Sequence, residues 1–244
     1  QKVHNIFWTF SNRYKSRDAL LCKNPLLFLN KLSELRVYFD GFRSLKFTVE
    51  RKINTSSIKG LEKAEHIKLS YEDGRDFSNE LTCTHYIMPI TYDREACVSR
   101  YGKDTAFQIK NMNMQVIIPD VDYIKEKNGV TKGAFYSFLP TQVEIPAPIV
   151  CHIPFKLDPS REHVDSQGGN KWFTHSNEVF SKMFENVLKD VAETYKEDIV
   201  YYLPKHYEFL FNSEKEYSIF NLPQFKGEYF IKLPIFYTDT KGFL

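Results

Sequence analysis

The residues best suited to chemistry lie in one segment, FKLDPSREHVDSQGGNKW, at Phe155–Trp172. It follows an apolar run, PIVCHIPF, and precedes a helical pattern, which predicts a loop at the end of a buried strand. Arg161 stands in this loop next to Ser160 and has two acidic neighbours, Asp158 and Glu162. A guanidinium is always charged and offers a rigid fork of donors that fits phosphate oxygens. Arg161 is therefore the candidate for binding an anion, and a surface ion pair within the loop is the alternative.

Other catalytic motifs are absent from the sequence. Neither GxxxxGK[ST] nor GxGxxG occurs, and there is no HExxH, GxSxG or paired-cysteine spacing. Cys151, His152, His163 and His175 match no metal-ligand spacing, so we interpret them as ordinary loop or core residues. No pair of carboxylates stands out as a general acid and base. We therefore predict neither a metal site nor a self-contained active site.

The composition indicates a folded protein with no general affinity for polyanions. Hydrophobic residues make up 42% and aromatic residues 16% of the 244 positions, which argues against disorder. The formal net charge is only +2, with both signs interspersed, so there is no electrostatic case for binding nucleic acid or an anionic membrane. Four scattered cysteines and the lack of an apolar run of ~20 residues predict a cytoplasmic chain with reduced thiols and no membrane span. The start at Gln1, without a signal peptide, suggests a piece of a larger protein.

Several segments in the first half of the chain alternate apolar and polar residues, as half-buried strands do. Leu45, Phe47 and Val49 show the pattern, which recurs at 67–71, 81–85 and 112–118, and EDGR marks a turn. The apolar runs GAFYSFLP and PIVCHIPFKL, bounded by Gly or Pro, indicate further, more central strands. We therefore predict an antiparallel meander with one covered face.

A short helix is predicted over residues 24–34, NPLLFLNKLSE, just before the strand LRVYF. Asn24 is a suitable N-cap, and Pro25 occupies the first helical position, where its missing N–H costs nothing. Leu26, Leu29 and Leu32 would form the buried face of this helix.

The longest predicted helix runs from about Trp172 to Tyr195. Val179, Met183 and Val187 recur every four residues, and charged side chains occupy the opposite side. Helices that are grouped apart from the strands indicate an α+β fold, in which a mostly antiparallel sheet carries helices on one face.

The order of these segments resembles the middle, or transducer, domain of ATPases of the GHKL superfamily, above all sacsin-like proteins and the ninety-kilodalton heat-shock chaperones. FKLDPSREHV, at 155–164, resembles the strand end and Ser-Arg-Glu turn of the chaperones. LLFLNKLSELRVYF resembles the helix and strand that follow the ATP-binding domain, and FYSFLPT resembles a strand before the arginine loop. The resemblance covers most of residues 20–200. It implies a sandwich like domain two of ribosomal protein S-five.

In those proteins the arginine of the triplet reaches the ATP phosphates held by the preceding domain. The resemblance implies this role for Arg161, with Ser160 shaping the loop. Chaperone relatives carry Gln or Asn where this chain has Asp165, so Arg161 alone is expected to contact phosphate. The implied organisation is a linker at 1–24, a middle domain at 25–200 and a strand-rich exit segment at 201–244.

The resemblance also implies ATP and Mg²⁺ for a parent protein whose ATP-binding domain precedes this chain. The adenine-binding helix and Gly-rich lid of the family do not occur here, so residues 1–244 alone are expected neither to bind nor to hydrolyse ATP. Client or partner proteins are implied, and the oligomeric state is left open. Two alternatives remain. One is a non-catalytic interaction module that uses the aromatic region from Tyr201 to Tyr237, and the other is an S-five-like nucleic-acid-binding domain.

Overall fold

One large sheet organises most of the chain that the computed structural model describes. The described residues are 14–29, 31–39, 44–51, 55–58, 61–74, 77–91, 95, 98–99, 111–127, 133–145, 148–152, 183, 186–187, 189–191, 193–195, 198, 237–238 and 242–243.

Two short helices and eleven strands have defined bounds among these residues. In chain order they are α1 (Arg17–Lys23), β1 (Glu34–Tyr38), β2 (Ser44–Glu50), β3 (Thr55–Ile58), β4 (Leu61–Glu72), β5 (Ser78–Thr91), β6 (Asn111–Pro119), α2 (Val121–Glu126), β7 (Gly133–Ser137), β8 (Leu139–Ile145), β9 (Val150–His152), β10 (Tyr237–Thr238) and β11 (Gly242–Phe243). The described positions from 183 to 195 are also helical.

The strands of the large sheet lie in the order β1-β2-β4-β5-β6-β9-β7-β8, and β3 pairs with β4. Every described pairing is antiparallel except that of β7 with β9, which is parallel. The predicted α+β class with a mostly antiparallel sheet is therefore confirmed. The parallel pair arises because β9 enters between β6 and β7 instead of extending the β7–β8 hairpin at the edge.

Helix α1 begins at a polar cap and buries its leucines. The Ser16 hydroxyl oxygen accepts a hydrogen bond from the Ala19 amide at 3.2 Å, which satisfies one of the free donors of the first turn. Leu20 and Leu21 are fully buried in the same core as the sheet. Part of the segment assigned above to a linker, residues 1–24, is thus a helix that packs on the sheet.

The helix predicted over 24–34 is wrong, because Asn24 ends α1 instead of starting a new helix. Its side-chain oxygen accepts a 2.9 Å hydrogen bond from the Leu26 amide, two residues on, and residues 25–28 form turns. A short polar side chain that bonds its own backbone in this way favours a turn over a helix. Leu26 is buried as expected, whereas Leu32 is 51% exposed.

The outer strands follow the predicted alternation. Leu45, Phe47 and Val49 of β2 are buried, and the residues between them are partly exposed. On the opposite face Lys46 pairs with Glu72 at 3.2 Å. This part of the sheet therefore has one apolar face and one polar face, as the sequence pattern predicts.

The central strands are buried on both faces. In β6 every residue from Met114 to Pro119 is buried, and so are all three residues of β9. Consecutive side chains of a strand point to opposite faces, so this part of the sheet needs cover on both sides. The prediction of a single covered face holds only for the outer strands.

Helical segments accordingly lie on both faces and not on one. On one face Tyr14, in the turn just before α1, packs edge-on against Phe47, with ring centroids 4.8 Å apart, and α1 itself contacts β4 and β5. On the other face Tyr86 donates a hydrogen bond to Asp190, and the neighbouring helical residues Met183, Val187 and Val191 are buried. The predicted buried face of the long helix is confirmed at Met183 and Val187, and Val179 lies outside the described residues.

Candidate functional site

The segment that carries the predicted anion-binding arginine follows β9 in the sequence. Arg161 and Ser160, like Asp158 and Glu162, lie outside the described residues. Only Ile153 and Pro154 separate His152, the last residue of β9, from the segment that begins at Phe155. The described part of the site is therefore the end of β9, from which the predicted loop would extend.

Strand β9 is held in the interior of the sheet. It pairs antiparallel with β6, where His152 lies opposite Gln115, and parallel with β7, where His152 lies opposite Tyr136. Paired residues share a face of a sheet. Gln115, His152 and Tyr136 therefore form a row of side chains on one face, and all three are buried.

A second histidine joins this row from β5. The Nε2 atom of His85 and the Oε1 atom of Gln115 are 2.9 Å apart in a buried hydrogen bond, in which the imidazole donates to the amide oxygen. Phe28, from the turn after α1, covers the group, with its ring centroid 6.2 Å from that of His85 and 5.3 Å from that of His152. We call His85, Gln115 and His152 the histidine cluster.

His152 is the unusual member of the histidine cluster. Its side chain is buried, yet neither ring nitrogen has a hydrogen-bond partner among the described residues. The backbone carbonyls of Asn113 and of His152 itself are close enough to favour the protonated ring, but neither meets the distance and angle of a hydrogen bond. Buried polar groups are usually paired, so an unpaired imidazole in the interior calls for an explanation.

Burial keeps both histidines neutral. Desolvation lowers the pKa of His152 from 6.5 to about 4. Desolvation likewise lowers the pKa of His85 to about 4, and the Gln115 hydrogen bond opposes this shift while the charge of Arg51 and the nearby His152 add to it. A neutral imidazole can accept a proton, so His85 and His152 are two proton acceptors that the fold holds uncharged.

Arg51 fixes the turn segment that covers the histidine cluster. Its guanidinium donates hydrogen bonds to the carbonyls of Leu26, Leu27 and Leu32 at 3.0–3.2 Å. Burial lowers the pKa of Arg51, and its Nε atom has no partner among the described residues. Arg51 therefore holds the 26–32 segment through backbone carbonyls and brings a positive charge near His85.

The turn segment is attached to β7 as well. The Tyr136 hydroxyl donates to the Asn24 carbonyl at 3.4 Å in a buried contact. The rings of Phe28 and Tyr136 meet edge to face with centroids 4.9 Å apart. Burial raises the pKa of Tyr136, so its hydroxyl stays protonated and remains a donor. Strand β7, which pairs with β9, is thus packed against the segment that follows α1.

Nucleophilic and metal chemistry find no support in the described residues. Burial raises the pKa of the Cys83 and Cys151 thiols, and a protonated thiol is a poor nucleophile. Cys151 also points to the face opposite His152, its neighbour in β9. No group of three or more His, Cys, Asp or Glu residues in the described part of the chain could hold a metal ion.

The sequence pattern did carry a signal for the histidine cluster, and our interpretation passed over it. His85 occupies an apolar position in the alternation Leu81, Cys83, His85, and His152 lies within the apolar run PIVCHIPF. A histidine at a core position is either paired or uncharged, which would have marked both residues as perturbed. Their proximity depends on the pairing of β9 with β6, which is a tertiary contact.

Comparisons of this chain with protein-family models, with curated proteins and with solved structures find no match. Among the described residues, no helix has the length and apolar character needed to cross a membrane.

Proposed function

We propose that this chain is the middle, or transducer, domain of a GHKL-type ATPase, and that Arg161 completes the ATP site of a domain that precedes it. One observation supports the proposal above the others. The Ser160–Glu162 segment begins eight residues after His152, the last residue of β9, which is a strand buried on both faces and paired on both sides. A functional loop is positioned best when it is attached to a rigid element.

The physical role of the arginine follows from the chemistry of phosphoryl transfer. Charge spreads over the transferred phosphoryl oxygens in the transition state, and a forked guanidinium stabilises that charge. Where such an arginine comes from a neighbouring module, hydrolysis depends on docking of the two modules. Mg²⁺ and ATP would be held by the preceding domain. Client proteins, oligomerisation and a cytoplasmic location are part of the same proposal.

The strongest alternative is a non-catalytic interaction module. Its predicted surface, Tyr201–Tyr237, includes only Tyr237 among the described residues. Phe138 and Leu139, at the turn between β7 and β8, favour this alternative because they are 46% and 53% exposed. A partner would then bind apolar side chains and would need no arginine.

A nucleic-acid-binding domain has less support. Lys46, Lys68 and Arg36, on the outer strands, each pair with a carboxylate at 3.2 Å or less. These pairs neutralise the basic side chains that a phosphate backbone would need.

Steady-state ATP hydrolysis tests the proposal, measured on the protein that contains this chain and the sequence that precedes Gln1. Arg161→Ala is expected to lower kcat by at least ~10²-fold and to leave the KM for ATP nearly unchanged, because the contact strengthens as charge develops. Arg161→Lys is expected to recover only part of the loss, since one ammonium cannot reproduce the fork.

The matched control is Arg36→Ala, which removes an exposed guanidinium that pairs with Glu34 at 2.6 Å. Its turnover should equal that of the unchanged protein. Normal turnover of Arg161→Ala with a lowered melting temperature would identify a structural ion pair. That result would favour the alternative, in which the chain is a non-catalytic interaction module.

A further inference from the structure

Two aromatic rings enclose His152 at the end of β9. The ring centroid of Phe28 lies 5.3 Å from that of His152, and the ring of Phe138 lies 5.0 Å away in an edge-on contact. The imidazole is only 3% exposed. Phe138 itself is 46% exposed and touches the imidazole, so it forms an outer wall on one side of His152.

Phe138 occupies its place at a conformational cost. Its φ angle is 67°, in the left-handed region that a bulky side chain adopts only when surrounding contacts compensate. It is the only residue other than glycine with a positive φ in the described part of the chain. The edge-on contact with the His152 ring is one contact that Phe138 makes in this conformation, so the strained turn lies directly against the buried imidazole.

We propose that His152 is an acid-responsive latch, whose protonation opens the Phe138 turn and releases the end of β9. A proton from solvent adds to the free nitrogen of the neutral ring and produces an imidazolium with two N–H donors. In the closed state neither ring nitrogen makes a hydrogen bond among the described residues, and only the backbone of Asn113 and of His152 itself favours the charged ring, against the larger cost of burial. Opening of the turn hydrates the imidazolium and relieves the left-handed Phe138.

The groups that face His152 do not outweigh the cost of burying a positive charge, because desolvation is the largest influence on its pKa and only backbone groups oppose it. The facing groups are His85 from β5, Gln115 and the Asn113 carbonyl from β6, Tyr136 from β7 and the ring of Phe28. Arg51, whose charge reaches the neighbouring His85, is itself a cation. No carboxylate contributes to the titration of either histidine in the described structure. The charged ring is therefore stabilised only in the open state.

The proposed opening is confined to the end of β9 because His152 and His85 lie in different parts of the sheet. His152 ends a strand of three residues beside an exposed turn, whereas His85 lies within the fourteen-residue β5. Opening near His152 breaks few pairings, but exposing His85 requires the sheet to separate. Desolvation holds the pKa of His152 near 4, below its ordinary 6.5, so the open state binds the proton more tightly.

The test is amide hydrogen exchange and histidine NMR titration on the 244-residue chain between pH 7 and pH 5. After correction for intrinsic exchange, the opening constant of the Cys151 and His152 amides is expected to rise about 20-fold over this range. The amides of Leu69 and Leu81, in β4 and β5, are the internal reference and should open much less. In His152→Gln, which keeps His85, the rise for the Cys151 amide should disappear.

A second variant keeps the test decisive if His152→Gln does not fold. Phe138→Gly removes the outer wall and suits the positive φ, so the pKa of His152 should move toward 6.5 by about one unit or more. Leu139→Gly is the matched control on the same turn and should leave this titration unchanged. The proposal is overturned if His152 titrates near 6.5 in the unchanged chain, or if His152→Gln retains the acid-induced opening. These outcomes do not depend on the proposed ATPase role, because no nucleotide enters the experiment.

Discussion

The hydroxyl of Tyr86 donates a 2.7 Å hydrogen bond to the carboxylate of Asp190, which joins β5 to the described helical positions between 183 and 195, across 104 positions of sequence. Both side chains are buried, with 1% and 6% exposure. A buried carboxylate needs such donors because desolvation of its charge is costly. The contact also identifies the face of the sheet that this helix covers, since Tyr86 points away from its neighbour His85.

Replacement of Tyr86 by Phe is therefore expected to lower the free energy of unfolding by about 1.5–3 kcal/mol, because a buried carboxylate loses a charge-assisted hydrogen bond. Urea unfolding at pH 7 measures the change. Tyr38→Phe is the control, since Tyr38 is 64% exposed and its replacement should stay within ~0.5 kcal/mol. Equal effects of the two replacements would show that the bond to Asp190 contributes nothing specific.

Arg51 offers a second test of the packing on the histidine cluster. Arg51→Ala removes the donors for the carbonyls of Leu26, Leu27 and Leu32 and should cost about 1–3 kcal/mol in the free energy of unfolding. Arg51→Lys should recover part of this, because one ammonium cannot reach all three carbonyls.

The control for Arg51 is Arg36→Ala. Arg36 pairs with Glu34 in solvent, so its loss is expected to leave the unfolding midpoint unchanged. An Arg51→Ala midpoint equal to that of the unchanged chain would mean that water replaces the guanidinium without loss.

The strands that could be predicted are those in which apolar and polar residues alternate between a buried and an exposed face. Leu45, Phe47 and Val49 alternate because one face of β2 meets the core and the other meets water. The local structure at Asn24 was harder to predict, since an asparagine suits both a helix N-cap and a turn. Asn24 forms a turn because α1, which buries Leu20 and Leu21, ends at the residue before it.

Long-range pairing was beyond the reach of sequence patterns. A run such as PIVCHIPF indicates a buried strand, but nothing local says that β9 lies between β6 and β7 or runs parallel to β7. The histidine cluster depends on that pairing, because it brings His152 beside Gln115. The Arg161 loop was predicted from residue types and from the resemblance to GHKL-superfamily middle domains, and its role stays a prediction.

Stability should depend on pH through the histidine cluster. Each histidine has a folded pKa of about 4 and an unfolded value of 6.5, so the unfolded chain binds more protons between these values. Stability is then complete above pH 6.5 and falls as the pH drops toward 4. Between pH 7 and pH 5 the loss should be about 2 kcal/mol for each histidine that unfolding exposes.

Urea unfolding at several pH values checks this dependence, compared with His85→Gln and His152→Gln. The range ends at pH 5 so that the carboxylates, which titrate lower, contribute little. Each replacement should remove about half of the slope. An unchanged slope in both variants would assign the acid sensitivity to groups outside the histidine cluster.

Gly74 is required by the turn between β4 and β5. Its φ angle is 73°, and an added Cβ atom would lie 3.0 Å from the Ser44 carbonyl oxygen. Gly74→Ala should therefore cost about 1–3 kcal/mol from backbone strain and from this contact. Gly74→Asn should recover only the backbone part, since Asn tolerates a positive φ but still carries a Cβ. Equal stability of all three chains would contradict the close approach to Ser44.

The last prediction concerns nucleotide binding by the 244-residue chain itself. We expect isothermal titration calorimetry with Mg²⁺ and ATP to show no binding at micromolar concentrations, because no Gly-rich loop is present to direct backbone N–H groups at phosphates. Arg161 alone would supply a single cation, and a single ion pair in water contributes little affinity. The informative comparison is with the protein that includes the sequence before Gln1, which should bind ATP whether or not Arg161 is replaced by Ala. Micromolar binding to residues 1–244 would mean that this chain contains its own nucleotide site. The proposal that it completes the site of another domain would then be wrong, even if Arg161 were the residue that contacts phosphate.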